Sequence, residues 1–238
     1  MDASNNAVDK DLQIKRNRRA VIWVVVLALI VDQATKILVK TNMLIGNDNA
    51  INILPWFKIC FVENNGMAFG MEIGGKLFLS LFRIAAIGLI VYLINRLVKS
   101  NRFPRGFLVC LAFLVAGATG NILDSMFYGL IFTESGIHAG GVSKLVDFGY
   151  GYAPFLYGKV VDMLYFPLWR WPDFIPFIGG RIFFRPVFNI ADCCITCSVF
   201  SLLLFYRQSL SAAFAMIETE SVRRKIKKDK SEENNSGI

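Results

Sequence analysis

Four long apolar runs dominate the chain, at 20–39, 77–98, 106–126 and 187–206. A helix that crosses a hydrocarbon core needs about 20 apolar residues, so each run is a candidate span, and together they predict an all-α membrane bundle. The charges are distributed to match. Of the 26 Lys and Arg and 18 Asp and Glu, eight lie in residues 1–19 and twelve in 207–238, leaving 24 for the 187 residues between. Soluble domains carry charge on about a quarter of their residues throughout, which excludes an ordinary soluble enzyme. The sequence divides into an N-terminal tail (1–19), a membrane domain (20–207) and a charged C-terminal tail (208–238), the tails being expected to lack stable structure.

Arg16, Arg18 and Arg19 precede the first run, Arg96, Lys99, Arg102 and Arg105 fill the link between the second and third, and Arg207 follows the fourth. The positive-inside rule places all of these on the cytoplasmic side, with both termini, and puts connections 40–76 and 127–186 outside. The net charge of +8 therefore reads as topology signalling rather than as a nucleic-acid surface. The basic stretch before a short apolar run resembles a signal peptide, but no small-x-small cleavage site follows, so a retained helix is expected. Residues 53–62, aromatic and β-branched, precede the turn-forming Asn64-Asn65-Gly66 and predict a strand or hairpin on the membrane surface. The second outer connection carries Pro154, Pro167, Pro172 and Pro176 with Trp169 and Trp171, and its length suits a functional or interfacial role.

Few residues of the membrane domain can do chemistry. A single histidine, His138, leaves no partner for a two-His metal site and confines Ser/His catalysis to one loop position. Cys60, Cys110, Cys193, Cys194 and Cys197 lie mostly in apolar stretches, where Cys behaves as a small hydrophobe, and the Cys194-x-x-Cys197 pair stands alone. No metal and no cofactor is expected. Ionisable residues inside spans are costly enough to suggest function, and here they are Asp32, Lys36, Arg83, Asp124 and Asp192. Arg83 lies close enough to the outer end of its run to snorkel.

Two of these share a pattern. The third run ends Gly117-Ala118-Thr119-Gly120-Asn121-Ile122-Leu123-Asp124 and the fourth begins Phe188-Asn189-Ile190-Ala191-Asp192, so each holds Asn-Ile-x-Asp. The i, i+3 spacing puts each Asn on the face of its Asp. Opposite chain directions carry both carboxylates to the outer boundary, and the small residues at 117, 118 and 120 let a neighbouring helix close in. The bland alternative is that each Asp caps a helix end. A close carboxylate pair suits hydrolysis, because the two cannot both ionise cheaply: one donates a proton while the other accepts one from water. Helix dipoles favour charge on Asp192, near an N-terminus, and disfavour it on Asp124, near a C-terminus, so Asp192 is expected as base and Asp124 as acid. Asp32 and Lys36, four apart, pair along one helix; they serve structure alone, brace loop 64–70, or hold substrate backbone. Asn64 offers a donor and an acceptor to a peptide, and Gly66 and Gly70 permit tight backbone geometry.

Asp32-Gln33-Ala34-Thr35-Lys36, Asn64-Asn65-Gly66-Met67-Ala68-Phe69-Gly70, residues 117–124 and Phe188-Asn189-Ile190-Ala191-Asp192 together resemble the motifs of lipoprotein signal peptidase, or signal peptidase II, in order and in membrane depth. Each block alone is a weak signal; four in order, from the first span through the fourth, are specific. The resemblance implies a four-transmembrane-helix bundle with a small periplasmic β-cradle and a long periplasmic loop between helices 3 and 4. It implies an aspartic endopeptidase of the bacterial inner membrane, active near the periplasmic face. Asp124 and Asp192 would be its catalytic pair, with Asp32, Lys36, Asn64, Gly66, Asn121 and Asn189 binding substrate or supporting the site. The implied partners are membrane lipids and prolipoproteins with a diacylglyceryl-cysteine lipobox, cleaved just before that cysteine; no nucleic acid is among them, and a monomer is expected. Ser125 departs from the Arg usual in the family, a charge that Arg181 or Arg185 could replace. Val160-Val161-Asp162 resembles a Val-Val-Asp stretch of the family, which makes 132–159 largely an insertion that could form a lid or a lipid-facing surface.

The competing reading is a small membrane transporter or channel subunit, with buried Asp, Lys and Arg lining an ion path. Against it, the carboxylates cluster at one depth with no polar trail through the remaining spans. A presenilin-like protease lacks its Gly-x-Gly-Asp here, and a Ser/Lys peptidase has only the adjacent Ser143-Lys144 to offer.

Overall fold

The computed structural model describes residues 2–65, 75–136 and 141–236. Within them, three helices are long and apolar enough to cross a membrane: α1 (Asp2–Asn42), α2 (Gly75–Ser100) and α3 (Arg105–Leu123). A π-helical turn (Asp124–Tyr128) and the short α4 (Gly129–Ile131) extend the third. The fourth apolar run forms α5 (Ile190–Phe205), whose 16 residues span about 24 Å at 1.5 Å each, less than the roughly 30 Å of a hydrocarbon core. It starts three residues later than its hydropathy suggests because Val187 and Phe188 pair as a strand and Asn189 caps the helix. After a bend of 91° the chain continues as α6 (Arg207–Ser236).

Neither end is the unstructured tail that its polarity suggests. The start of α1 is a polar continuation of a span, supported by an Asp11–Lys15 pair at 2.7 Å one turn apart. The first turns of α6 are anchored by Ala213, buried among the bundle residues, with Leu210 and Met216 packed beside it.

The long connections supply the β structure: β1 (Gly46–Leu54), β2 (Phe57–Asn64), β3 (Val160–Tyr165), β4 (Trp169–Arg170), β5 (Ile182–Phe183) and β6 (Val187–Phe188). An antiparallel sheet runs β1-β2-β3-β6, while β4 and β5 form a separate ribbon. The hairpin expected in the first outer connection is present, but it turns at Pro55-Trp56, where proline has no N–H to give a ladder. Asn64 closes β2 and pairs with Val160 across the sheet, so it belongs to a strand rather than to a turn.

Two apolar clusters bracket the bundle. Ile94, Leu97, Phe107, Leu108 and Leu111 pack with Leu202 at one end; Val39, Phe61, Tyr128, Phe132, Val161 and Met163 pack beneath the sheet at the other. Asp32 and Lys36 of α1, Asn121 of α3 and Asp124 of the π-helical turn fall between these clusters. Close helix contact there depends on two glycines. A Cβ at Gly117 would collide with the Ala191 carbonyl and Ile195 of α5, and one at Gly120 would strike the Asp32 carboxylate of α1.

The described part of segment 132–159 is tied to α4 at several points, while Leu145, Phe148 and Tyr150 within it stay exposed. Phe132 is fully buried, and backbone bonds Thr133 N–H to Lys144 O (2.9 Å), Val146 N–H to Ile131 O (2.9 Å) and Ala153 N–H to Gly129 O (2.9 Å) fold the segment back on α4. Lys40 of α1 ties it to the sheet. Its buried ammonium pairs with Glu63 of β2, donates to Ser135 Oγ at 3.0 Å, and lies 5.3 Å from the Phe132 ring centroid and 5.1 Å from that of Tyr152.

Candidate active site

The polar layer is built from α1 outward. Lys36, with no exposed surface, sits 3.0 Å from Asp32 and 2.8 Å from Asp124, and donates to Asn121 Oδ1 at 2.9 Å. An isolated ammonium here would be very costly; two carboxylates and an amide make it tolerable. Asp32 also accepts the Ala191 N–H at 2.9 Å, placing a carboxylate at the N-terminus of α5, where the helix dipole favours it. Asp32 and Lys36 thus do more than pair along one helix: they join α1 to α3 and α5.

Asp124 is fully buried and fully engaged. One oxygen meets Lys36 and accepts the Val161 N–H at 3.3 Å, and the other accepts Gln33 Nε2–H at 2.9 Å. Gln33 is itself oriented by the Tyr128 hydroxyl, which donates to its Oε1 at 3.2 Å. The positive neighbour that Ser125 cannot provide is Lys36. Arg181 and Arg185 lie in the segment that carries the β4–β5 ribbon. Ser125 is itself buried, donating to the Asn121 carbonyl at 3.2 Å while its own carbonyl accepts the Gly158 N–H at 2.9 Å, so the end of segment 132–159 packs over the position.

The two motif asparagines connect the rest. Asn121 Nδ2 donates to Asp192 Oδ1 at 2.8 Å, and Asn189 Nδ2 donates to Asn121 Oδ1 at 3.1 Å. Asn189 also closes a capping box on α5: its Oδ1 accepts the Asp192 N–H at 2.9 Å while Asp192 Oδ2 accepts the Asn189 N–H at 3.3 Å. The bland expectation that Asp192 caps a helix is therefore correct as geometry. One Asp192 oxygen nevertheless faces Asn121, and the residue is only half-buried.

A third carboxylate enters from the sheet. Asp162 of β3, almost wholly buried, accepts Asn189 Nδ2–H at 2.7 Å on one oxygen and the Asn64 amide on the other. Asn189 therefore touches both carboxylates, Asp162 through its side-chain amide and Asp192 through its backbone N–H. Neither is among the salt-bridged residues of the described chain, whereas Asp32 and Asp124 share Lys36. Burial, and then the Asp192 charge, push the Asp162 carboxyl up to about 7, despite opposing help from Asn64, Lys36 and Asn189. Arg83 of α2 lies within electrostatic reach of Asp192.

Six of the eight residues singled out from sequence, Asp32, Lys36, Asn121, Asp124, Asn189 and Asp192, meet in one network. Asn64 reaches it through Asp162. Gly66, like Gly70 and His138, lies outside the described residues. Asp162 was not singled out; the available signal was a lone carboxylate inside the otherwise apolar strand Val160-Val161-Asp162-Met163-Leu164-Tyr165.

Carboxylates and amides gathered at one depth between a membrane bundle and a sheet define a membrane enzyme. The chain is correspondingly similar to a solved structure titled "Bacterial membrane enzyme structure by the in meso method at 1.9 A resolution", with a TM-score of 0.52 and 25% identity over 77% of this chain and 90% of that one. The family described as Signal peptidase (SPase) II matches residues 24–207. The chain is 49% identical over 197 residues to the lipoprotein signal peptidase of Porphyromonas gingivalis, covering 81% of this chain and 85% of that protein. It is 35% identical over 208 residues to the lipoprotein signal peptidase of Amoebophilus asiaticus, covering 84% and 82%. The chain belongs to the signal peptidase II family, and is a bacterial membrane protease rather than a transporter or channel subunit.

Proposed function

We propose that this protein is an aspartic endopeptidase of the bacterial inner membrane that cleaves diacylglyceryl-modified prolipoproteins just before the lipidated cysteine, using Asp162 and Asp192 as its catalytic pair. Asp124, named with Asp192 from the helical spacing, becomes a positioning residue. The observation that carries this reading is the contrast between the carboxylates. Both Asp124 oxygens are taken by Lys36, Gln33 and the Val161 N–H, whereas the hydrogen bonds to the Asp162 and Asp192 carboxylates among the described residues come from amides, and both carboxylates share Asn189. A buried ammonium opposes protonation of the carboxylate it pairs with, whereas a second carboxylate close by favours it, which suits Asp162 to donate a proton.

Asp192, at the third residue of α5, takes a proton from water as the water oxygen bonds to the scissile carbonyl carbon. Asp162 gives its proton to the carbonyl oxygen, forming a gem-diol. On collapse the C–N bond breaks, the proton on Asp192 passes to the departing cysteine nitrogen, and a gem-diol hydroxyl returns its proton to Asp162. The pair titrates as a unit, and this scheme describes its working microstate. It requires no metal and no cofactor.

A lipidated cysteine keeps the scissile bond near headgroup level, the depth of a layer that lies between the spans and the sheet. With both termini cytoplasmic, that layer faces the periplasm. The reading of the substrate is tested with the purified protein in bilayer discs, comparing a diacylglyceryl prolipopeptide with the same peptide bearing a free thiol. Cleavage of the first alone, before the cysteine, is expected; equal cleavage of both contradicts it.

A further inference from the structure

We infer that the cleft between α1 and α3, at the end of the bundle remote from the sheet, is a binding site for an anionic phospholipid. The inference is independent of the peptidase reading. The cleft has a volume of about 680 Å³, and four cations line it: Lys15, Arg16 and Arg19 from α1 and Arg105 from the first position of α3. Lys15 is paired with Asp11 at 2.7 Å. Arg16, Arg19 and Arg105 make no ion pair among the described residues, so three uncompensated positive charges from two helices face one cavity. Such an arrangement is self-repulsive when empty and is relieved by an anion. Guanidinium groups, planar and weakly hydrated, are well suited to hold the oxygens of a phosphodiester.

The rest of the lining decides between a lipid and a free ion. From Arg16 the wall of α1 continues through Ala20 and Trp23 to Leu27, and from Arg105 the wall of α3 continues to Val109. These are spacings of three and four residues, so each helix presents one continuous stripe that is cationic at its end and apolar further in. Arg105 opens a membrane-spanning helix, which sets the cations at the boundary and the apolar stripe in the hydrocarbon. A headgroup phosphate with the first part of its acyl chains matches both halves of the cleft; inorganic phosphate matches only one. Basic pockets between transmembrane helices are suited to anionic headgroups in this way.

The test uses the full chain in phosphatidylcholine discs with or without phosphatidylglycerol, read by melting temperature and by native mass spectrometry of retained lipid. One variant is Arg16→Gln/Arg19→Gln/Arg105→Gln, and the control is Lys99→Gln/Arg102→Gln/Arg223→Gln, which removes the same charge elsewhere. Phosphatidylglycerol is expected to raise the melting temperature of the wild type and of the control and to be retained on both. In the cleft variant retention falls at least about tenfold and the thermal gain is lost. Arg105→Gln alone, at an exposed helix start, shows a smaller loss in the same direction and serves if the triple variant folds poorly. Equal retention in the cleft variant and the control overturns the site. So does millimolar phosphate in phosphatidylcholine discs reproducing the full thermal gain, which identifies a free-anion site instead.

Discussion

Lys36 holds the polar layer together, and its removal should be felt as stability before it is felt as chemistry. Lys36→Ala leaves Asp32 and Asp124 buried without their cation, which costs about 3–5 kcal/mol and should appear as a large drop in melting temperature. Asp162 carries the pH dependence. Its folded-state acidity lies at about 7, above the ordinary carboxylate value near 4, so the folded chain holds a proton that the unfolded chain releases. Its contribution to stability is complete below about pH 4 and is lost as the pH rises through about 7. Activity should likewise decline above about pH 7 as the proton donor ionises, a limb read in kcat against pH. Asp162→Asn should flatten the stability profile over that range. At this scale the sequence was legible where one helix carries the signal: the i, i+3 pairs Asn121 with Asp124 and Asn189 with Asp192, and the i, i+4 pair Asp32 with Lys36. Helical spacing could not reveal that Lys36 reaches across to claim Asp124, 88 residues away in sequence, or that Asn64 and Asp162 meet across a sheet.

The elements were legible to the extent that hydropathy governs them. Three spans follow from their apolar runs, and the start of α5 shifted because sheet pairing at Val187 and Phe188 competes with helix for the same apolar residues. Segment 132–159 was the least readable. Its anchorage depends on Lys40 of α1, Phe61 and Glu63 of β2 and its own Tyr152, which meet from three parts of the chain. The helix contacts make a sharper prediction. Gly120→Ala places a methyl against the Asp32 carboxylate and the Ala191 side chain, and Gly117→Ala places one against the Ala191 carbonyl. Each should cost about 1–3 kcal/mol through overpacking, measured by thermal unfolding, while Gly88→Ala, which meets open space on α2, should be neutral or slightly stabilising.

At the scale of the whole molecule, three full spans and the shorter α5 put the bundle in the membrane, and a sheet drawn from two long connections covers one end of it. The polar layer lies where the two meet, so carboxylates from α5 and β3 can face each other, an arrangement that no single element encodes. The proposed orientation, with both termini cytoplasmic, predicts that a reporter active only outside the cytoplasm is silent when fused after residue 238 and active when inserted between residues 66 and 74. The account stands most directly on cleavage of a diacylglyceryl prolipopeptide by folded, purified variants in bilayer discs. Asp162→Asn and Asp192→Asn should each lower kcat by at least about a thousandfold, while Asp124→Asn, destabilised by the loss of a Lys36 partner, should keep measurable turnover. Near-full activity in Asp162→Asn, with Asp124→Asn folded and inactive, would return the catalytic role to Asp124 and contradict the pair proposed here.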